Sequence, residues 1–224
     1  MENLQTGKRG KFITLEGVEG TGKTTQCVLL CEYLRRQEID VVETREPGGT
    51  PLGEQVREIL LSPGVSAPPS ATSELLLFLA ARVQLVTEII VPALDSGKWV
   101  VCDRFSDATL AYQGYGRAID IEAIRKLNET ATGGLKPDLT LLLDLDVEIG
   151  IRRAVGGKKE FSGSKNGDRM EMENTEFHRR VREGYLELAE KEPGRIKTIP
   201  VTGSIEEVHR TIVSLIEPFL VKAK

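Results

Sequence analysis

The stretch from Phe12 to Gln26, FITLEGVEGTGKTTQ, limits what this 224-residue chain can fold into more than any other. Phe12–Glu16 reads as a buried strand, and a helix is expected from Lys23 to about Gln37. Between them, Gly17-Val18-Glu19-Gly20-Thr21-Gly22-Lys23-Thr24 fits G-x-x-x-x-G-K-[ST]. Glycines let a backbone curl until successive N–H groups point inward at anionic oxygens. The helix that follows adds its positive N-terminal end. The loop from Gly17 to Thr25 is therefore expected to cradle a nucleoside triphosphate, with Lys23 reaching the β- and γ-phosphates and Thr24 ligating Mg²⁺.

Such a loop needs a sheet to stand on, and the remaining apolar segments supply one. IDVVETR, KWVVCD, DLTLLLDLD and RIKTIPV read as four further strands, and they alternate with helical patterns. They are continuous apolar runs, as a sheet covered on both faces requires. The expected fold is α/β: a three-layer P-loop NTPase fold with a five-stranded parallel sheet, helices on both faces and a short mobile lid. GEQVREILLS reads as a helix, followed by the loop SPGVSAPPS and a long helix from near Ser70 that stops near Pro92. Residues 1–10 read as a flexible N-terminal segment and residues 11–224 as a single kinase-like P-loop domain. VGGKKEFSGSKNG, within residues 155–168, reads as the lid or as a surface loop.

Composition narrows the function classes. With 30 Lys and Arg against 34 Asp and Glu the net charge is −4, which points to neither a nucleic-acid partner nor an anionic membrane. The polar start MENLQTGKRGK lacks an apolar core for a secretory signal, and LLLFLAA and LTLLLDL are too short to span a bilayer, so a cytoplasmic protein is expected. Cys27, Cys31 and Cys102 form no metal pattern and read as small buried hydrophobes.

A cradle of this kind needs an acid at the end of a neighbouring strand. Asp103, followed directly by Arg104, stands where ligands collect in an open parallel sheet. Asp144 and Asp146 read instead as capping acids for the segment starting at Val147. No N-K-x-D for guanine reading occurs. Arginines are prominent: Arg45, Arg82, Arg104, Arg152, Arg153 and Arg169. Passing a phosphoryl group between two phosphates concentrates negative charge that such cations balance.

EGVEGTGKTTQ, TREPGGTPLGE, LLFLAARVQL, DRFSDATLAYQGYGR, KPDLTLLLDLD and DRMEMENTEFHRRVREGYLELA together resemble the thymidylate kinases of the bacterial kind. The resemblance runs from Phe12 to about Phe219. It implies transfer of the ATP γ-phosphate to dTMP with Mg²⁺, giving dTDP and ADP on the way to dTTP, by a homodimer joined through the long helix. By motif position it implies that Glu19 bonds the 3′-hydroxyl of dTMP, Phe78 stacks on thymine and Arg82 bonds its O4. It likewise implies that Thr109 meets the base edge and that Tyr112 packs under C2′ and rejects ribose. Gln113 belongs to the same acceptor set. Arg45 and Arg104 would hold the acceptor phosphate, and Asp103 would position Mg²⁺ and its waters. Arg153 and the loop with Thr202 and Gly203 would line the adenine side.

Two departures stand out. Phe105 follows the Asp-Arg pair where the family commonly has His or Tyr, and the lid segment contains no arginine. The cation over the transferring phosphate is then Lys158, Lys159 or Lys165, or a flanking Arg152, Arg153 or Arg169. The competing readings are a kinase for another monophosphate and a nucleotide-dependent switch or hydrolase. Release of ADP with and without each acceptor separates them.

Overall fold

Side chains of the central strand β1 (Phe12–Glu16) divide between two faces of a sheet. Ile13 and Leu15 enter one core with Leu30, Leu34 and Ile212, while Phe12 enters another with Leu85, Val100 and Phe105. The computed structural model describes residues 9–63, 68–161 and 168–221. β2 (Val41–Arg45), β3 (Trp99–Asp103), β4 (Leu139–Asp144) and β5 (Ile196–Pro200) complete a five-stranded sheet in the order β2-β3-β1-β4-β5. Every pairing is parallel. Each fully buried Leu or Ile contributes about 1.5–3 kcal/mol, so the two apolar faces explain why the inner strands β1, β3 and β4 are buried, almost continuous apolar runs. The edge strands β2 and β5, expected to read the same way, are only partly buried and carry polar residues. The expected sheet and its covering on both faces are thus present.

α1 (Lys23–Arg36) and α9 (Ile205–Val221) cover one face. The other carries α3 (Ala71–Leu85), α4 (Val91–Asp95), the short α5 (Ser106–Thr109), α6 (Ile121–Thr132) and α8 (Thr175–Lys191). The chain leaves β1 for the edge strand β2, on one side, but leaves β3 for β4, on the other side of β1. Connections that part in opposite directions open a crevice at the C-terminal ends of β1 and β3. The loop at Gly17 and the Asp103-Arg104 pair both stand there. Two further helices flank it: α2 (Pro51–Leu61) and α7 (Val147–Phe161). Thr50 caps α2 by accepting the Gly53 N–H at 3.0 Å, with Pro51 at the first helical position.

Pro92 does not end the long helix as its chemistry suggests. After α3 the backbone widens into a π segment, Val86–Ile90, and continues as α4 to Asp95. The wider turn resets the hydrogen-bond ladder just before the proline, which falls in the first turn of α4, where no N–H is required. The combined Ala71–Asp95 run is long and apolar enough to cross a membrane by length and composition, with a mean hydropathy of 1.8. A core helix passes the same test, and here Glu74 and Arg82 are both buried against protein partners.

Asp144 is not a cap: it accepts two bonds from Arg182, at 2.7 and 2.9 Å. Asp146 alone caps α7, accepting from the Ile149 N–H at 3.2 Å. α7 runs on through Phe161, so the first part of the segment read as the lid is helical in its backbone. The remainder of that segment, the side chains of Lys158 and Lys159, all of Lys165 and the first eight residues lie outside what the structure describes. The three cysteines are free and buried, as expected.

Candidate active site

The phosphate loop is shaped by three glycines with positive φ: 140° at Gly17, 70° at Gly20 and 84° at Gly22. Side chains are excluded at the first two by distance as well as by torsion. A Cβ at Gly17 would lie 2.3 Å from the Leu143 carbonyl, and one at Gly20 would lie 2.1 Å from the Gly150 carbonyl. Val18 and Thr21 are buried behind the loop, where the Thr21 hydroxyl donates to the Val18 carbonyl at 3.0 Å. Lys23 folds its ammonium onto the same carbonyl at 2.9 Å. Burial and then the nearby Arg104 charge push its pKa down. The Thr24 hydroxyl, at the start of α1, donates to Asp103 Oδ2 at 2.7 Å. A hydroxyl and a carboxylate brought together at a phosphate cradle form the hard oxygen pair that suits Mg²⁺. Among the described residues no cluster of three or more His, Cys, Asp or Glu could hold a metal by itself.

Arg104 adopts φ 72°, a left-handed backbone that costs a side-chain-bearing residue about 1–2 kcal/mol. That turn sends the guanidinium back across the loop, where it donates to the Gly17 carbonyl at 2.9 Å and to Glu19 Oε1 at 2.8 Å. It also lies over the Tyr112 ring, 4.9 Å from the centroid. The Tyr112 hydroxyl donates to the same Glu19 oxygen at 2.7 Å. Burial alone would raise the Glu19 carboxyl, but Arg104 and then Lys23 outweigh it and hold the group at about 2. Beneath, the buried Glu16 accepts from the Phe105 N–H at 2.8 Å and from the Tyr185 hydroxyl at 2.7 Å. Burial and then the charge of Asp107 raise this carboxyl to about 8, against the pull of Arg104.

A cavity of about 970 Å³ opens on these groups and extends past Arg45, Phe78, Arg82, Thr109, Tyr112 and Gln113. The structure thus brings every residue of the expected acceptor set to the wall that also holds Lys23, Thr24 and Asp103. Arg82 is almost wholly engaged. Its Nε and Nη2 grip Glu46 at 2.5–3.1 Å, Nη2 also meets the Phe105 carbonyl at 3.1 Å, and Nη1 meets Asn128 at 2.6 Å. Arg45 is half exposed and paired with Glu54, both bonds at 3.0 Å. The Phe105 ring turns away into the core, edge-on to Phe12 at 4.9 Å, with the Arg82 guanidinium 5.3 Å from its centroid.

Of the flanking cations, Arg153 lines the cavity and Arg152 does not. Arg169 is tied to Glu74 and to the Leu60 carbonyl, which gives it a fixed structural seat. Thr202 and Gly203 stand after β5, outside this wall. Sequence reasoning missed Arg57, Met170 and Glu46 in the wall and Glu74 behind it. Arg57 carried a signal: it lies one turn after the buried Gly53 and one turn before buried Leu60 on α2, an inward position for a cation. Glu74 carried one too, as the only acid in an apolar helix, one turn before Phe78.

Residues 15–212 match the family model described as thymidylate kinase. Similar curated proteins include the thymidylate kinase of Synechococcus sp. (strain JA-2-3B'a(2-13)), 53% identical over 209 residues that cover 93% of this chain and 95% of the relative. That of Halothermothrix orenii is 48% identical over 96% of this chain and 100% of its own. Among solved structures, the thymidylate kinase of Ehrlichia chaffeensis superposes with a TM-score of 0.73 at 37% identity, covering 93% of this chain and 99% of that one. The chain belongs to the thymidylate kinase family.

Proposed function

We propose that this protein transfers the γ-phosphoryl group of ATP to dTMP, yielding dTDP and ADP for dTTP synthesis. One observation carries the reading: a single cavity joins the cradle of Lys23 and Thr24 to the aromatic pocket of Phe78 and Tyr112, with Asp103 and Arg104 between them. That arrangement suits two nucleotides placed phosphate to phosphate. The acceptor oxygen is already anionic at neutral pH, so alignment and charge neutralisation do the work and no strong base is needed.

Lys23 would release the Val18 carbonyl and take the donor's phosphates. Arg104 and Arg45 would hold the acceptor phosphate, and Arg153, at the rim, would meet the donor. Both donors to Glu19 among the described residues, Arg104 and Tyr112, use Oε1, which leaves Oε2 to accept from the 3′-hydroxyl. The Tyr112 ring, fixed by its bond to Glu19, would close the space that a 2′-hydroxyl needs. Thr24 and Asp103 would hold Mg²⁺, which when bound neutralises phosphate charge and draws donor and acceptor into line. A homodimer working in the cytoplasm completes the reading.

The test is ADP release from ATP. Release that depends on dTMP is expected, and Lys23→Ala should lower it by about 100-fold or more without lowering the melting temperature. Equal release with no acceptor would mark a hydrolase and end this reading.

A further inference from the structure

We infer that Glu74 is a positioning residue for base selection: it fixes the side-chain amide of Gln113 with its carbonyl end free to accept a hydrogen bond from the bound pyrimidine. The inference rests on the acceptor-pocket reading above and deepens it.

Glu74 is 1% exposed and stands behind the cavity wall, one helical turn before Phe78. Its Oε1 accepts from Gln113 Nε2 at 2.8 Å and from Arg117 Nε at 3.2 Å. Its Oε2 accepts from Arg117 Nη2 at 3.1 Å and from Arg169 Nη2. Burial alone would raise the carboxyl, but the bonds from Arg117, Gln113 and Arg169 reverse this and keep it ionised. An ionised carboxylate only accepts. The two ends of a glutamine amide have nearly the same shape, so a partner's chemistry decides which way it points. The reversed amide would set Gln113 Oε1 against a carboxylate oxygen, and Glu74 forbids it.

Gln113 is 1% exposed and lines the cavity from the π segment Leu110–Gly116. Its Oε1 takes no hydrogen bond from any described residue. The pocket wall therefore carries a committed acceptor. A 2,4-diketo pyrimidine presents an N3–H donor to it, whereas a 4-aminopyrimidine presents a bare N3 lone pair. The Thr109 hydroxyl rotates to suit either base, so it does not make this choice.

Steady-state kinetics with dTMP and dCMP test the inference. The wild type should prefer dTMP, and in Glu74→Gln the ratio of the two kcat/KM values should fall by at least about tenfold, because an amide at 74 lets Gln113 turn either way. Arg117→Lys takes a guanidinium from Glu74 but leaves the carboxylate, and should keep the ratio. If Glu74→Gln does not fold, the charge-balanced Glu74→Gln/Arg117→Gln variant is read by the same ratio. Equal losses for both substrates, or the same fall in Arg117→Lys, would reduce Glu74 to a structural residue and overturn the inference. A wild type that turns over dTMP and dCMP alike overturns it too and leaves the proposed reaction standing. A wild type with no dTMP turnover overturns both.

Discussion

At the scale of single residues, the site is a set of charges held by neighbours rather than by solvent. Glu16 and Glu19 flank the pair Gly17-Val18, yet they are driven in opposite directions, to about 8 and to about 2. The difference is partnership: Glu19 faces Arg104 directly, whereas Glu16 is buried and sees the charge of Asp107. Glu16 keeps its proton in the folded protein up to about 8, whereas its ordinary value is 4.5. Between those values the native state binds more protons than the unfolded chain, so stability falls as pH rises. In Glu16→Gln the amide can still accept from the Phe105 N–H and can donate to the Tyr185 oxygen, without the ionisation. Thermal melts should then show the variant gaining on the wild type by at least about 3 °C between pH 5 and pH 8. A constant gap across that range would mean that Glu16 is not proton-bound in the native state.

At the scale of elements, the loop and α7 approach backbone to backbone. Gly150, outside any motif, leaves no room for a side chain: its Cβ would lie 2.5 Å from the Glu19 carbonyl. Gly150→Ala should push the loop from its seat and raise the KM for ATP by about tenfold, with a smaller change for dTMP, as initial-rate kinetics would read. The strands were legible because both faces of the sheet are apolar, and the cradle because its residues are consecutive. The helix through Pro92 was not, since a π turn is set by hydrogen-bond register and not by composition. Arg82 was expected to bond O4 of the base, but the grip of Glu46 on it from 36 positions away was not legible. The same holds for Glu74 and Gln113, 39 positions apart. Contacts of that range have no local signature. Motifs name the residues that touch ligand better than those that hold them in place.

At the scale of the whole molecule, α3 presents Leu76, Ala80 and Val83 outward along one stripe, with Leu76 54% and Val83 44% exposed. Exposed Leu52 and Ile59 of α2 add to the apolar surface. Spacing of i, i+4 and i+7 places the stripe on one helix face, about 100° round the helix from the buried Leu75, Leu79 and Arg82. Sedimentation velocity should find a dimer, and Leu76→Lys with Val83→Lys should shift it to the monomer. A wild type that sediments as a monomer would remove the homodimer from the proposal.

Both walls of the acceptor pocket run into a π turn, Val86–Ile90 beyond Phe78 and Arg82, and Leu110–Gly116 carrying Tyr112 and Gln113. A π turn holds one residue more than an α turn, and each residue of helix accounts for about 100° of rotation. Deleting a single residue within either π segment would let that turn close to an ordinary α turn with the helix beyond it still in phase, whereas the same deletion in a regular α turn would swing everything beyond it by about 100°. Each wall of the pocket thus has one stretch of helix where a position can be lost without turning the wall from its occupant, and outside that stretch the register is fixed to the residue.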